Sequence, residues 1–341
     1  MTAPANQGPP PSAVLMQILS ARWVAHTIGA AAEFRLADHL AGGPLPSTEV
    51  ARLAGTNADA TRRLLRALAS HGIFTETEPG VFANTPASDV LRSDVPGSMR
   101  PMLVYSFAQH TAEAWAALPH AVATGESAFR HAHGVGTWDY LQSHPEAAAT
   151  FDAAMTSNSR REAAAILEAY DFGRFETLVD VAGGAGLLLA SVLAKHERLR
   201  GVLFDLPHAI EHARAVVGAS PVADRCKLVA GNAFDGVPEG ADAYMMKHIL
   251  HDWSDAESLR FLASIHRAAR PGATLLVLDA VIEPGNGPQW AKLLDINMLV
   301  MTEGRERTEA EFEDLLRRGG FTLERVARTA APICVLEARR A

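Results

Sequence analysis

Apolar residues recur at helical spacing over residues 14–36, with Gly29 as the expected break, so one or two amphipathic helices open the chain. A compact unit follows. Residues 47–53 read as a short helix closed by Gly55, and Asn57 is placed to cap a second helix over 58–70. On that helix Leu64, Leu65 and Leu68 share an inner face, while Arg62, Arg63 and Arg66 point elsewhere. Two short β runs, 73–75 and 81–83, flank Pro79-Gly80 as a hairpin. Helix, turn, helix and hairpin make a winged helix-turn-helix pattern. Residues 106–170 are helical again, most clearly at 112–123 and 145–170, with His131 and His133 in what reads as a surface loop.

From residue 177 the period changes. Short β-branched or apolar runs at 177–182, 202–205, 227–230, 243–246 and 274–279 alternate with helical stretches at 187–196, 207–217, 255–269 and 309–318. Such alternation predicts a parallel sheet covered on both faces. Gly319-Gly320 stops the last helix, and 321–327 with 333–337 form a closing strand pair, giving about seven strands. Ligands of such a sheet bind beyond the strand carboxyl ends. The expected organisation is a tail over 1–12, a winged-helix unit over 13–105, linking helices over 106–170 and the sheet domain over 171–341.

Composition narrows the function. With 48% apolar and 21% charged residues, the 341-residue chain is globular and not disordered. Its net charge of −8 offers no global field for nucleic acid. The first 105 residues carry eight arginines, no lysine and eight acids, so the winged-helix unit is electrically neutral and reads as a protein-contact module. No apolar run is long enough to span a bilayer, and the polar, Pro-rich start lacks a signal h-region. Cys226 and Cys334 are far apart without metal-type spacing and read as thiols of a reducing compartment, so a cytoplasmic location is expected.

The candidate chemistry sits at the strand tips. Leu178-Val179-Asp180-Val181-Ala182-Gly183-Gly184-Ala185-Gly186 runs from a strand through small residues into a helix, which lets backbone N–H groups approach a ligand. Position 189 is Leu where a dinucleotide fingerprint needs a third glycine, and Asp180 is not part of that fingerprint. Asp205 closes the second strand, where a carboxylate meets ribose hydroxyls or caps the helix opened by Pro207, two compatible roles. Asn232, Ala233 and Phe234 follow the third strand and suit an adenine, which wants an edge hydrogen bond and an apolar face. No phosphate loop with a lysine is present, so a nucleoside-type ligand is preferred to ATP.

His251 lies in the short loop after the fourth strand, just before the Ser254–Glu257 capping box. At this edge an imidazole can accept a proton from a hydroxyl. His248 reads as a packing or nucleoside-wall residue. Asp279 and Glu306 are the two acids placed to orient the base, and position favours Asp279. Met298 and Met301 read either as an adaptable apolar wall of the substrate pocket or as ordinary helix core.

In order and spacing these segments, with Phe204-Asp205-Leu206-Pro207-His208, the run 247–255 and Gly304-Arg305-Glu306-Arg307-Thr308, resemble the S-adenosylmethionine-dependent small-molecule O-methyltransferases. That family comprises the caffeic-acid-type plant enzymes and their bacterial natural-product relatives. The resemblance implies an α/β class I methyltransferase domain, Rossmann-like with seven strands, preceded by an all-helical winged-helix dimerisation domain, and a homodimer. It implies methyl transfer from S-adenosylmethionine, leaving S-adenosylhomocysteine, to a phenolic hydroxyl of a small aromatic or polyketide-type metabolite. His251 would be the base, with Asp279 and Glu306 flanking it and no metal taking part. Ser159, Ala182, Gly183, Gly184, Asp205, Leu206, Asn232, Ala233, Phe234 and Lys247 would line the cofactor. Met155, Asp252, Met298 and Met301 would line the substrate, and Phe151, Met155 and Ser159 match a segment that closes over both ligands. Three positions depart from the family pattern: Ala182 stands where glycine is usual, Asn232 where aspartate is usual, and Asp279 where glutamate is frequent. The rival readings are a cofactor-keeping relative that hydroxylates or decarboxylates a polyketide, an NAD-type oxidoreductase, and a winged-helix regulator.

Overall fold

In the computed structural model, which describes residues 9–341, the first helix, α1 (Pro11–Glu33), runs without a break. Residues 11–12 of the expected tail are therefore helical, and residues 1–8 lie outside the described residues. Gly29 is a packing position and not a break, because a Cβ there would run into the ring of Phe107. The chain turns instead at Arg35, whose φ is 54°, and α2 (Leu36–His39) follows. After β1 (Leu45–Pro46) come α3 (Ser47–Ala54), α4 (Ala58–Ala69), β2 (Phe74–Glu78) and β3 (Val81–Asn84). Asn57 caps α4 by accepting the Ala60 N–H at 3.0 Å, and Leu65 and Leu68 join Val50, Phe74 and Phe82 in the core.

The strands pair in the order β1-β3-β2, so this unit is a winged helix with a three-stranded wing and is not all-helical. Two residues of β1 are too few to show alternation, which is why the pattern misses them. Helices α5 (Pro86–Asp89) and α6 (Arg100–Ser106) follow. The chain divides into two units, one of residues up to 109 with 149–157, the other of 110–148 with 158–341.

A helical insert begins the second unit: α7 (Gln109–Ala116), α8 (Leu118–Thr124), α9 (Ala128–His133) and α10 (Thr137–Ser143). The single helix expected over 112–123 is split where Pro119 enters the first turn of α8, and His131 and His133 lie in α9, not in a loop. The long α11 (Pro145–Ala169) then leads to β4 (Thr177–Val181), α12 (Leu187–Lys195), β5 (Arg200–Asp205), α13 (Pro207–Gly218) and β6 (Cys226–Ala230). The chain returns through β7 (Ala243–Lys247), α14 (Asp255–Ala268), β8 (Thr274–Asp279), β9 (Val281–Ile282), α15 (Trp290–Met301) and β10 (Arg307–Thr308). It ends with α16 (Glu309–Arg318), β11 (Phe321–Arg328) and β12 (Cys334–Arg340).

The seven-stranded sheet has the order β11-β12-β8-β7-β4-β5-β6. The five strands from β8 to the β6 edge are parallel, and β12 and β11 add antiparallel on the other side of β8. Every residue of β8 is buried, as a strand covered on both faces requires. Two apolar clusters fill those faces, one around Val181, Met246 and Val277 and the other around Leu189, Met245 and Leu278. The order of winding reverses between β4 and β7, and the carboxyl ends at such a switch point are where sheets of this kind hold their ligand crevice. Among the described residues no helix is long and apolar enough to cross a membrane.

Candidate active site

On the β4 side the chain leaves the strand through Ala182 and Gly184, both with φ of 58°, and Gly186 opens α12 with φ of 75°. Alanine in this left-handed region costs roughly 1–2 kcal/mol, a cost that the usual glycine would avoid. The Ala182 N–H donates to the Phe204 carbonyl at 2.8 Å and so keeps the turn against β5. Gly183 is obligatory for a different reason: a Cβ would meet the carboxylate of Asp180 and the side chain of Leu203. Asp205 ties the turn down, accepting the Gly184 N–H at 2.8 Å and the Leu206 N–H at 2.6 Å.

Asp180, set aside on sequence grounds, is buried directly beneath this turn. Burial pushes its carboxyl up to about 7, Asp205 adds to the rise and Lys247 opposes it. The signal available in the sequence was an acid inside an otherwise apolar buried strand. Beyond β6, Asn232 is exposed and accepts the Phe234 N–H at 3.0 Å, while Ala233 is buried. The Phe234 ring meets Trp253 edge-on at 4.9 Å and lies under the Arg260 guanidinium at 4.7 Å. Trp253 is thus an aromatic wall of this side that no motif announced.

On the β7 side the strand ends at Lys247, His248 takes a left-handed φ of 55°, and a single 3-10 turn, Leu250–Asp252, carries His251. The Ser254–Glu257 capping box then starts α14. His251 is buried, and its Nδ1 lies 2.6 Å from Glu306 Oε1. Asp279 is 3.7 Å from the same nitrogen, so Glu306, and not the positionally favoured Asp279, makes the direct hydrogen bond. Spacing alone could not rank them, because the approach of Glu306 depends on the backbone around it. Gly304 lets that backbone pass over the turn, since a Cβ there would collide with the His251 carbonyl. The Glu306 N–H donates to Asp295 at 2.9 Å.

Arg307, only 1% exposed, fastens the two segments together. Its guanidinium donates to the carbonyls of Leu250 at 2.9 Å and Trp253 at 3.2 Å, and to Asp255 at 2.7 Å. Burial opposes a charged His251, but Asp252, Asp279 and Glu306 outweigh it and push the imidazole up to about 10. Asp252 Oδ1 stands 3.6 Å from His251 Nε2, and burial lifts its carboxyl to about 7.

His248 is neither a packing residue nor a bare wall: its Nε2 lies 3.1 and 3.2 Å from the two oxygens of Glu162. Lys247 donates to Glu162 at 3.0 Å. Glu162, on α11, is the member of the site that sequence reasoning missed altogether. Burial works against its charge, yet His248 and Lys247 together hold it well below the usual carboxylate range. Ser159 lies one helical turn before Glu162 on α11. The constellation around His251 is built within the second unit, whereas Phe151 and Met155 belong to the first. Met298 and Met301 are buried near the end of α15, whose last turn is held by the hydroxyls of Ser127 and Thr137 on the carbonyls of Val300 and Met301.

The crevice therefore combines a strained, glycine-rich backbone cradle, a buried acid beside a half-buried one, suited to positive charge and hydroxyls, and a histidine held by a carboxylate. Those residues fit a cationic nucleoside such as S-adenosylmethionine, and together with the sheet order they define a class I methyltransferase. Residues 115–322 match the O-methyltransferase domain family and residues 16–94 the O-methyltransferase dimerisation domain family. The chain belongs to this O-methyltransferase family and is an S-adenosylmethionine-dependent enzyme.

The chain is 39% identical over 330 residues to phenazine O-methyltransferase PhzM of Lysobacter antibioticus, a match covering 97% of this chain and 96% of that one. It is 36% identical over 320 residues to 8-amino-8-demethylriboflavin N,N-dimethyltransferase of Streptomyces davaonensis, covering 93% and 92%. A solved structure of the O-methyltransferase NcsB1 from neocarzinostatin biosynthesis, in complex with S-adenosylmethionine and 2-hydroxy-5-methyl naphthoic acid, aligns with a TM-score of 0.79. Its identity is 30%, and the alignment covers 93% of this chain and 96% of that one.

Proposed function

We propose that the protein methylates a phenolic hydroxyl of a small aromatic or polyketide-type metabolite, with His251 as general base. The observation that carries this reading is the His251–Glu306 hydrogen bond at 2.6 Å. With Nδ1–H donating to Glu306, the neutral ring presents the Nε2 lone pair to an incoming hydroxyl. S-adenosylmethionine, when bound, supplies an electrophilic methyl on a positively charged sulfur. Asp180 and Asp205 would hold its positive charge and ribose hydroxyls, beside the Ala182–Gly184 backbone. Asp252, beside Nε2, is placed to accept from a second donor on the substrate, and Met298 and Met301 would form the apolar wall.

Magnitudes sharpen the proton step. A free phenol titrates near 10 and an ordinary imidazole near 6.5, so transfer between them is uphill by about 5 kcal/mol. His251, pushed up to about 10, matches the phenol. At pH 7, however, such a ring must first lose its own proton, which costs about 4 kcal/mol. The raised basicity therefore moves the cost from the transfer to the preparation of the base. Turnover should climb as pH rises from neutrality toward 10.

The PhzM and NcsB1 relatives, by their names and ligand, act on or bind fused aromatic compounds, which supports an aromatic acceptor here. An amine acceptor, as the name of the riboflavin relative implies, can lose its proton after attack and has no need of a held base; the His251–Glu306 pair favours a hydroxyl. Exposed Leu15, Met16, Ile18, Leu19 and Trp23 on α1 support homodimerisation through the N-terminal unit. Arg63 lies 3.9 Å from Asp59, and the eight arginines of the first 105 residues are offset by eight acids, which supports protein contact over DNA binding. Both cysteines are free thiols, as fits a reducing cytoplasm.

The test is incubation with a methyl-labelled donor and a panel of phenols and aromatic amines. Label should appear on phenolic oxygen, and label confined to nitrogen would overturn the substrate class. H251A should bind S-adenosylhomocysteine as the wild type does and lose ~10²–10⁴-fold in turnover. Undiminished turnover in that variant would remove His251 from the mechanism.

A further inference from the structure

We propose that His248 is a positioning residue of the reaction: a charged ring bridging Glu162 and Asp279 that sets how readily His251 gives up its proton. The inference rests on the reading of His251 as the base. It begins with Asp279, which is fully buried and whose two oxygens complete no hydrogen bond among the described residues. A buried carboxylate in that state needs a nearby cation. Two rings compete for it. Asp279 Oδ1 lies 3.5 Å from Nδ1 of His248 and 3.7 Å from Nδ1 of His251, and the rings stack at 5.0 Å with 20° between their planes.

The two rings are not equivalent. Nδ1 of His251 is already engaged by Glu306, whereas the other nitrogen of His248 faces Glu162. A doubly protonated His248 therefore faces an acid at each end, hydrogen-bonded to Glu162 on α11 and at ion-pair distance from Asp279 on β8. Every charged group around it fits this assignment or is outweighed. Burial and Lys247 act against its charge, and Glu162 and Asp279 prevail, so its proton is held more tightly than usual. Asp252 and Glu306, around His251, also lie within its field, and its positive charge favours their ionised forms.

With part of the charge of Asp279 met from the His248 side, its pull on the His251 proton is weakened, and Glu306 is the acid hydrogen-bonded to His251. Without that cation, the whole charge of Asp279 would act on His251 and bind its proton more firmly. The left-handed backbone at His248, unusual for a residue with a side chain, is consistent with a ring kept in place by its partners.

The test is a histidine ring titration by NMR on the folded, full-length protein labelled with ¹³C-histidine. In the wild type His248 should remain doubly protonated above pH 7; a neutral ring at pH 7 overturns the proposal without any variant. Asparagine tolerates the left-handed backbone, so H248N removes the charge with little strain. It should raise the His251 midpoint by about one unit, leaving roughly tenfold less free base at a given pH. H248K restores a fixed positive charge and should not raise that midpoint. A His251 midpoint unmoved in H248N, or moved equally in both variants, overturns the inference and leaves His248 only its bond to Glu162. Failure of the base reading looks different: H251A would then keep its turnover whatever the His251 midpoint does.

Discussion

On the β4 side of the crevice, Asp180 and Asp205 lie close enough to repel, and the only cation acting on Asp180 among those that shift it is Lys247. On the β7 side, acids and cations alternate within hydrogen-bond or ion-pair range: Lys247, Glu162, His248, Asp279, His251 and Glu306. The first side carries charge that a ligand must complete, and the second is largely balanced within the protein. A binding surface gains affinity from such incompleteness, since a cation arriving there relieves repulsion. A surface that moves protons gains from balance, because its geometry need not reorganise when the charge shifts.

Replacing Glu306 by Gln is the strongest way to break the balanced side. It should cost ~10–10²-fold in turnover, because the imidazolium formed during proton transfer loses its ionised partner. The acid limb of activity should shift to lower pH as His251 falls back toward 6.5, and a pH–rate profile checks both. The wild type carries a matching stability signature. His251 titrates near 10 in the folded chain and near 6.5 unfolded, so its stabilisation is complete below pH 6.5 and lost as pH rises through 10.

Asp180→Asn sharpens the contrast from the other side. Its folded value near 7 lies above the unfolded value near 3.9, so folding loses stability as pH climbs from about 4 to 7. Removing the carboxylate should restore on the order of 2 kcal/mol at pH 8, read as a higher melting temperature, while weakening S-adenosylmethionine about tenfold by calorimetry. A variant that bound the cofactor as well as before would show that the acids are not there for its charge. Ala182→Gly should have the smallest effect. Relief of the left-handed alanine offsets the added chain entropy, leaving a stability gain of about 1 kcal/mol or less in a denaturant melt.

What could be read from the sequence follows from where the information resides. The parallel strands announced themselves because β4, β7 and β8 are buried on both faces and so are written as short continuous apolar runs. His251 stood out because a strand end and a capping box bracket it. Glu162 left no such mark: a glutamate on a long, weakly patterned helix looks solvated until the fold brings it to Lys247 and His248. The precedence of Glu306 over Asp279 was equally hidden. It depends on Gly304 clearing the His251 carbonyl and on Arg307 joining the two loops, contacts between segments some fifty residues apart.

Helix α11 belongs to both units, with 149–157 in the first and 158–169 in the second. A fragment beginning after Ala169 would retain all seven strands of the large sheet and both apolar clusters' strand residues, yet it would lack Glu162. Lys247 would then lose its carboxylate partner, and His248 would be left with Asp279. A chimera joined in the loop before β4 would therefore lack the acid that pairs with Lys247 and His248, whereas one joined ahead of Asn158 would keep it.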